Sequence, residues 1–428
     1  MFHKVLVANR GAVAARVIRA LRMLGVRSVA VYSEADAGAP YLDEADESYL
    51  LGPAPAAESY LNVEALLRVM RESGADALHP GYGFLSENAA FASRIVAIGA
   101  RFIGPSPYWI DAMGHKTKAR EFAASLGLPV KSGSGVLGDA DSILAEAARI
   151  GYPVLVKPAA GGGGIGMLPA RDAGELAAAV ERSRSIATRG FGSGEVYLEK
   201  LLEKPRHIEF QMLGDQHGSL RHLFERDCSV QRRHQKVIEE AGAPSVDRER
   251  VDNMAASIAG KLARAGYDNI GTVEMLMGQD GLFQFLEMNT RLQVEHGVTE
   301  EVTGIDLVTS QIRLAAGARL DAVLPSTILM RGHSIEARVY AEDPKRFFPS
   351  PGKLAVFRPP RGEGLRVETG YAEGREVTPH YDPLLAKVIA WAVDRDAAIA
   401  CLCEALENFA VQGVKTNIPA LLGVLTST

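Results

Sequence analysis

Five polar residues recur at every second position within residues 282–300, LFQFLEMNTRLQVEHGVTE: Glu287, Asn289, Arg291, Gln293 and Glu295. In an extended chain such residues share one face. A strand that only closes a core has no use for that row, so the stretch is expected to enter a polar site. Upstream, residues 271–277 (GTVEMLM) read as a second strand, and Asp280-Gly281 between the two is a two-residue hairpin signal. With that loop Glu274 falls opposite Glu287, their Cβ atoms about 5 Å apart. Two carboxylates so placed repel by roughly 3 kcal/mol at an effective dielectric of 20, so the pair needs a shared proton or a cation. Mg2+ is the natural candidate, because it takes oxygen ligands, commonly one or two carboxylates plus substrate phosphates, and Asn289 adds a neutral oxygen. A surface hairpin with solvated acids is the plainer alternative, but the flanking Phe285, Leu286 and Met288 argue for packing.

Cations precede these acids. Residues 226–236, RDCSVQRRHQK, gather Arg226, Arg232, Arg233, Lys236 and His234, interleaved with Cys228 and Val230. Cations for phosphates and acids for their metal make a consistent set, although a charge run is more often a solvated face. Further upstream a strand at 152–156 ends in Lys157 and runs into Gly161, Gly162, Gly163, Gly164, Ile165, Gly166 and Met167. Glycines let backbone N–H groups turn toward an anion and the lysine supplies a point charge. The Walker loop has its lysine after the glycines, so this is a different cradle. A glycine run is equally a hinge or a mobile lid. Residues 196–200 (VYLEK) offer a strand edge suited to a purine, and 207–211 alternate with His207, Glu209 and Gln211 on one face.

The elements that must hold these groups follow from length and pattern. A chain of 428 residues with 47% hydrophobic residues implies about three globular domains. The net charge of −5 lacks the basic excess of a nucleic-acid binder. Three cysteines (Cys228, Cys401, Cys403) make neither a disulfide framework nor a four-ligand zinc site. There is no secretory pattern and no apolar run long enough for a membrane, so a cytoplasmic protein is expected. Residues 5–32 read β-α-β with the single turn glycine Gly11, which argues against a nicotinamide site and for a bare doubly wound domain. The sequence HPGYGFLSEN, residues 79–88, follows a strand as a βα loop at a ligand-binding sheet edge. A new domain is expected from Met113, and alternating strands, glycine turns and two helices fill the last segment.

In this order the chain resembles the biotin carboxylases of the ATP-grasp superfamily over essentially its whole length. VLVANRG, HPGYGFLSEN, GGGGIGM, ERDCSVQRRHQKVIEE, EMNTRLQVEH and AEDP carry the resemblance. It implies an α/β and α+β chain with the ATP-grasp fold: a doubly wound domain at 1–112, an ATP-grasp domain at 113–328 with its lid about 130–203, and a C-terminal domain at 329–428. It implies that Lys116 and Lys157 contact ATP phosphates under the glycine lid of Gly161 to Gly164, Gly166 and Met167. Glu199, Lys200, Leu202, His207 and Leu276 would surround adenine and ribose, with Gln231, His234 and Lys236 as phosphate-side and ribose-side donors. Glu274, Glu287 and Asn289 match the family's ligands for Mg2+, with Mn2+ as a substitute. Arg291, Gln293 and Val294 resemble the bicarbonate pocket, Glu295 the general base, Arg338 the residue that stabilises the biotin enolate, and Tyr82 the loop near the biotin ring.

The implied reaction is ATP- and bicarbonate-dependent carboxylation of biotin through carboxyphosphate. No Met-Lys-Met occurs, so biotin is expected on a separate carrier protein or domain, serving a carboxyltransferase, with the chain a homodimer. Ala12, His115, Ile165 and Gly297 depart from the family's usual residues without removing a catalytic group. GGGGIGM and EHGVTEEVTG resemble urea-type and related carboxylases as much as acyl-CoA types, which leaves the final acceptor open. The chain reaches Thr428 short of the family's usual last segment, as expected of an excised domain or a trimmed terminus. Another carboxyphosphate-using ATP-grasp ligase is the alternative enzyme, and an ATP-binding regulatory module the non-catalytic one. Tyr82 and Arg338 speak against the first, Arg291 and Glu295 against the second.

Overall fold

The structure, a computed structural model, describes residues 1–159 and 165–427. Gly161, Gly162, Gly163 and Gly164 of the expected lid lie outside the described residues. Strands are numbered in chain order. β1 (Lys4–Val7), β2 (Arg27–Ser33), β3 (Glu47–Gly52), β4 (Ala77–His79) and β5 (Arg101–Phe102) form a parallel sheet ordered β3-β2-β1-β4-β5. All four residues of β1 are buried, as its unbroken apolar run requires of a strand covered on both faces. This is the expected doubly wound domain. At its carboxyl edge Asn9 Nδ2 donates to the carbonyls of Pro80 (2.7 Å) and Tyr82 (2.8 Å). Gly81 makes that closure possible: its φ is +63°, and a Cβ there would sit 2.9 Å from Asn9 Nδ2 and 3.0 Å from Val13 Cγ2. Two separate sequence motifs are thus one assembly that carries Tyr82.

A small antiparallel sheet follows, ordered β7-β6-β8, from β6 (Val154–Pro158), β7 (Leu168–Ala170) and β8 (Val196–Lys200). The rest of the chain builds one antiparallel sheet of eight strands: β9 (Arg206–Gly214), β10 (Leu220–Arg232), β11 (Gln235–Ala241), β12 (Asn269–Met277), β13 (Phe283–Asn289), β14 (His333–Tyr340), β17 (Leu365–Thr369) and β19 (Leu384–Ala392). Its order is β13-β12-β9-β10-β11-β14-β19-β17. Two short pairs stand apart, β15 (Gly352–Lys353) with β18 (Glu376–Val377) and β16 (Val356–Arg358) with β20 (Ala410–Gln412). The helix Arg248–Ala265 covers the first half of the large sheet through Val251, Ala255, Ile258 and Leu262, a helical stripe of fours and threes. Each fully buried Val, Ile or Leu of that stripe contributes roughly 1.5–3 kcal/mol. Asp247 caps the helix by accepting from the Glu249 and Arg250 N–H groups, and Gly266 ends it in the left-handed region.

The hairpin β12–β13 brings Glu274 opposite Glu287 as expected, but by another route. Next to the turn Met277 lies opposite Phe283, so residues 278–282 form the loop in place of the expected Asp280-Gly281 pair. The longer loop closes through Gly278 N to Leu282 O (3.0 Å), Gly281 N to Gly278 O (2.9 Å) and the Leu282 N–H to Asp280 Oδ1 (3.0 Å). A bulge between Phe285 and Glu287 then shifts the register by one residue, restoring the acid pair. The expected alternating row is also corrected. β13 stops at Asn289, and the chain from Arg291 to Glu295 curls into the helix His296–Thr303 with Glu295 at φ −80°, ψ 12°.

Backbone contact fixes the doubly wound domain against the large sheet. Gly370, just past β17, lies on Gly11: a Cβ at Gly370 would overlap the Gly11 backbone and stand 2.8 Å from Ala12 N. Neither backbone can yield as a side chain would. Gly370→Ala is therefore expected to lower stability by about 1–3 kcal/mol, read as a lower Tm. Gly362→Ala, where a Cβ meets nothing within 4 Å, is the control, and equal Tm values for the two variants would refute the contact.

Candidate functional site

Cross-strand register assembles the polar centre. Glu287 of β13, Glu274 of β12, Glu209 of β9 and Arg226 of β10 stand in one row, each opposite the next. Adjacent carboxylates in a sheet destabilise it unless cations intervene. Arg226 is wholly buried and does so from one end: its Nε donates to Glu209 Oε1 at 2.6 Å, NH1 to Gln211 Oε1 at 2.8 Å and to Thr299 Oγ1 at 3.0 Å. Lys236 of β11 does so from above. Its Nζ donates to Glu209 Oε2 (2.5 Å), Glu274 Oε1 (2.8 Å) and Glu295 Oε1 (2.7 Å). Burial works against the ammonium, but the three carboxylates raise its pKa well above the ordinary lysine range.

Glu295 is buried and doubly paired. Against the cost of burial, Lys236, Arg338 and Arg226 hold its carboxyl well below the usual range. Arg338 of β14 spans two acids, Nε at 2.6 Å from Glu239 Oε1 and NH2 at 3.0 Å from Glu295 Oε2. The turn that presents Glu295 is pinned twice, by Lys387 Nζ donating to the Val294 carbonyl (2.6 Å) and by His296 Nδ1 on the Gln293 carbonyl (2.7 Å). Arg291 bridges this turn to the doubly wound domain: Nε donates to Glu87 Oε2 (2.7 Å), NH1 to Gln293 Oε1 (2.9 Å) and NH2 to Asn289 Oδ1 (2.9 Å). Tyr82 from the βα loop is half-buried nearby, and burial pushes its hydroxyl up to about 12.

The carboxylates at the hairpin fit a hard cation. Glu274 is lowered despite burial, because Lys236 and His207 face it, with His207 Nε2 3.0 Å from its Oε2. His207 is raised in return: burial opposes its charge but Glu274 favours it. Glu287 is raised, by burial first and by Glu274 next, and its nearest cation is Lys116 Nζ at 3.9 Å. An under-compensated acid beside a second acid is a carboxylate pair suited to Mg2+; the Asn289 amide donates to Glu274 at 2.7 Å while its oxygen accepts from Arg291 at 2.9 Å, so Asn289 must turn that oxygen toward the acids to join them as a ligand.

Other expected residues fall around this centre in different ways. Lys157 donates to Glu199 Oε2 at 3.0 Å within the small sheet, with Lys131 and Arg120 each 3.8 Å from the same carboxylate. Lys200 Nζ is engaged by the carbonyls of Gly151 (3.0 Å) and Tyr152 (2.7 Å), so its charge ties the small sheet together. Gln231 Nε2 donates to the Cys228 carbonyl (2.8 Å) and meets His207 Nδ1 at 3.1 Å, whereas His234 is exposed at the β10–β11 turn with φ +67°. Leu276 lies opposite His207 on β12. Leu202 and Met167 are half-buried beside the small sheet, and Gly166 stands 2.7 Å from Ser183 through its carbonyl.

The sequence groups Arg226 with the cations for phosphates, whereas the structure buries it against Glu209, Gln211 and Thr299; Glu87, Glu239 and Lys387 were passed over as functional groups. Only Lys387 left a signal of its own, a lone lysine inside the apolar strand LLAKVIAWA. Arg226→Leu would leave Glu209 in the row with Lys236 alone. A loss of about 3–5 kcal/mol is expected from the stranded buried charge, with Arg226→Leu/Glu209→Gln recovering part of it; denaturant unfolding of both variants checks this, and no recovery would show that the loss is one of packing.

Comparison with known proteins gives a consistent result. Residues 1–110 match the family model for the biotin carboxylase N-terminal domain, 115–323 that for the carbamoyl-phosphate synthase L chain ATP-binding domain, and 336–428 that for the biotin carboxylase C-terminal domain. The chain is 50% identical to a biotin carboxylase of Halalkalibacterium halodurans, covering 99% of this chain and 94% of the relative. It is 51% identical to biotin carboxylase 2 of Bacillus subtilis, covering 99% and 95%. Among solved structures, the biotin carboxylase domain dimer of Hydrogenobacter thermophilus 2-oxoglutarate carboxylase, in complex with MgADP, ADP and bicarbonate, superposes with a TM-score of 0.94 at 44% identity, covering 100% of this chain and 94% of that one.

Proposed function

The chain belongs to the biotin carboxylase family, and we propose that the residues gathered around Lys236 divide the ATP- and bicarbonate-dependent carboxylation of biotin between them. The reaction is that of an ATP-grasp ligase, and carboxyphosphate is its intermediate. Its three parts are proposed as 1–112, 113–328 and 329–428. The observation that carries the assignment is the triple contact of Lys236 with Glu209, Glu274 and Glu295.

Arg291, with Gln293 and the main chain at Val294, is the bicarbonate pocket: a guanidinium holds an oxyanion in two places, and Glu87 and Asn289 already fix its plane. Glu295 takes the bicarbonate proton as an oxygen of bicarbonate attacks the γ-phosphorus of ATP and the bond to ADP breaks. With both cations on it, its carboxylate is a weak base. Once Lys236 turns to the phosphates and Arg338 to biotin, its proton affinity rises when substrate is in place. Lys116 and Lys157 neutralise phosphates beneath Gly161 to Gly164, Gly166 and Met167, and Lys157 must leave Glu199 to do so. Leu276, Leu202, Glu199 and Lys200 border the base, and His207, Gln231 and His234 lie toward the ribose and phosphates. Glu274, Glu287 and Asn289 would hold Mg2+ or Mn2+, which supplies charge neutralisation to the polyphosphate.

Arg338 stabilises the biotin enolate, a charge present only as carboxyl transfer proceeds, and Tyr82 borders the biotin ring. Biotin arrives on a carrier protein or domain and leaves for a carboxyltransferase, and the chain works as a homodimer in the cytoplasm. None of the described helices is long and apolar enough to cross a membrane.

ADP release with Mg2+ and bicarbonate, with and without free biotin, tests the reading: stimulation by biotin that vanishes without bicarbonate is expected, and its absence would overturn the assignment. Glu295→Gln is expected to lower bicarbonate-dependent ADP formation at least ~100-fold while ATP still binds by calorimetry; equal loss of binding would make Glu295 structural. Arg338→Ala should depress biotin-dependent carboxylation at least ~10-fold more than bicarbonate-dependent ATP cleavage. Parallel losses would remove it from the enolate step.

A further inference from the structure

Behind Arg338 lies a second acid pair that the reaction as assigned does not use. Glu239 of β11 and Glu336 of β14 stand directly opposite each other where the two halves of the large sheet join. Both are wholly buried. None of their four carboxylate oxygens accepts a well-aligned hydrogen bond. Among the described residues the cation nearest Glu239 is Arg338, with Nε at 2.6 Å, and that nearest Glu336 is Lys387, with Nζ at 3.6 Å; Lys236 also faces Glu239, and Arg338 also faces Glu336, from farther off.

Neither cation belongs to the pair alone. Arg338 is shared with Glu295 at 3.0 Å, and Lys387 with Glu368 at 2.7 Å and the Val294 carbonyl. Lys236, on the same strand as Glu239, is taken up by Glu209, Glu274 and Glu295. The remaining titratable groups that face the pair bring no positive charge: Cys228 of β10, Tyr340 of β14 and Tyr82 of the βα loop are each pushed up by burial. Two ionised carboxylates in this place would lack both hydrogen-bond donors and full counter-charge. A proton between them supplies a donor and removes one charge.

We propose that Glu239 and Glu336 share one proton, and that this proton keeps the Arg338 guanidinium poised between Glu239 and Glu295. Burial raises Glu239 to about 8 and Glu336 to about 7, with Arg338 and Lys387 respectively opposing the shift. With both carboxyls raised, the pair keeps its proton to higher pH than an exposed carboxyl does, and loses it as pH rises through that raised range. With the proton gone, the second charge draws the guanidinium toward β11 and away from the place where the enolate forms. Glu239 and Glu336 are positioning residues that act through Arg338. The proton rests on these residues alone, and its effect on turnover rests on the carboxylase reading.

The full chain tests both parts. Infrared difference spectroscopy at neutral pH should show the carbonyl stretch of a protonated buried carboxyl, abolished in both Glu336→Gln and Glu239→Gln. Biotin-dependent ATP cleavage should fall in the parent as pH rises past the pair's range. Glu336→Gln, whose amide donates to Glu239 at every pH, should stay within about threefold of the parent at neutral pH and lose that alkaline limb. Glu239→Gln should lose about tenfold at all pH values, because Arg338 loses the nearer of its two carboxylates and is left to Glu295. A parent without a protonated-carboxyl band sensitive to these substitutions would overturn the shared proton. An unchanged alkaline limb in a folded Glu336→Gln would overturn its link to Arg338. A parent with no biotin stimulation at all would sink the carboxylase reading, and the infrared band would still decide the proton.

Discussion

One ammonium group holds the centre together. Lys236 reaches Glu209, Glu274 and Glu295 from three different elements, two strands on its far side and the start of a helix. Each acid stands beside another: Glu209 and Glu274 are register partners, and Glu274 has Glu287 on its other side. Remove the cation and the register partners Glu209 and Glu274 repel across about 5 Å, with Arg226 and His207 left beside them and Arg338 alone on Glu295. The row is tolerated because β11 lies close enough to β12 to lend its lysine. That proximity depends on β9 and β10 lying between them in the same sheet.

A single continuous sheet is what makes the geometry durable. Lys236 sits on β11 and Arg338 on β14, the next strand, so the two cations that share Glu295 are held at a fixed spacing by backbone hydrogen bonds. Loops carry Tyr82 and Glu87 after β4 and Arg291, Gln293 and Glu295 after β13. These are tied in turn by main-chain contacts, Asn9 on the Pro80 and Tyr82 carbonyls and Glu87 on the Thr290 N–H at 3.2 Å. A rigid frame with a few clamped loops suits a reaction in which two anions and a neutral ring must be brought within bonding distance.

How much of this the sequence disclosed depends on the range of the interaction. Pairing between neighbouring strands is local, and Glu274 opposite Glu287 followed from two short patterns and a turn. The turn itself was misread because Asp280 uses its side chain on the Leu282 N–H, and a bulge hid the error. Alternation placed Arg291, Gln293 and Glu295 together for the wrong reason: they meet because the chain curls, pinned by His296 and Lys387. The roles of Arg226 and of the Glu239–Glu336 pair depend on partners 15 to 97 residues away, from Gln211 with Arg226 to Glu239 with Glu336, and no periodicity encodes such a meeting. Lys157 was legible as a phosphate lysine from the strand and glycine run around it, whereas the roles proposed for Lys116 and Arg338 come from family resemblance, because spacing alone leaves them as ordinary cations.

The cations of the centre are neutralised from within, and this bears on selectivity. Lys236, Lys157 and Arg338 are each engaged by carboxylates. An incoming anion must therefore replace a good partner, and a single weak charge gains little by doing so. On the proposed assignment a nucleoside triphosphate with its cation would replace several at once: Glu274 and Glu287 would hold the metal, and the phosphates would take the lysines those acids release. On that reading the exchange is cooperative, because freeing Lys236 would also strip Glu295 of a charge that makes it a poor base. Bicarbonate activation would then be coupled to ATP occupancy through the charge of Lys236.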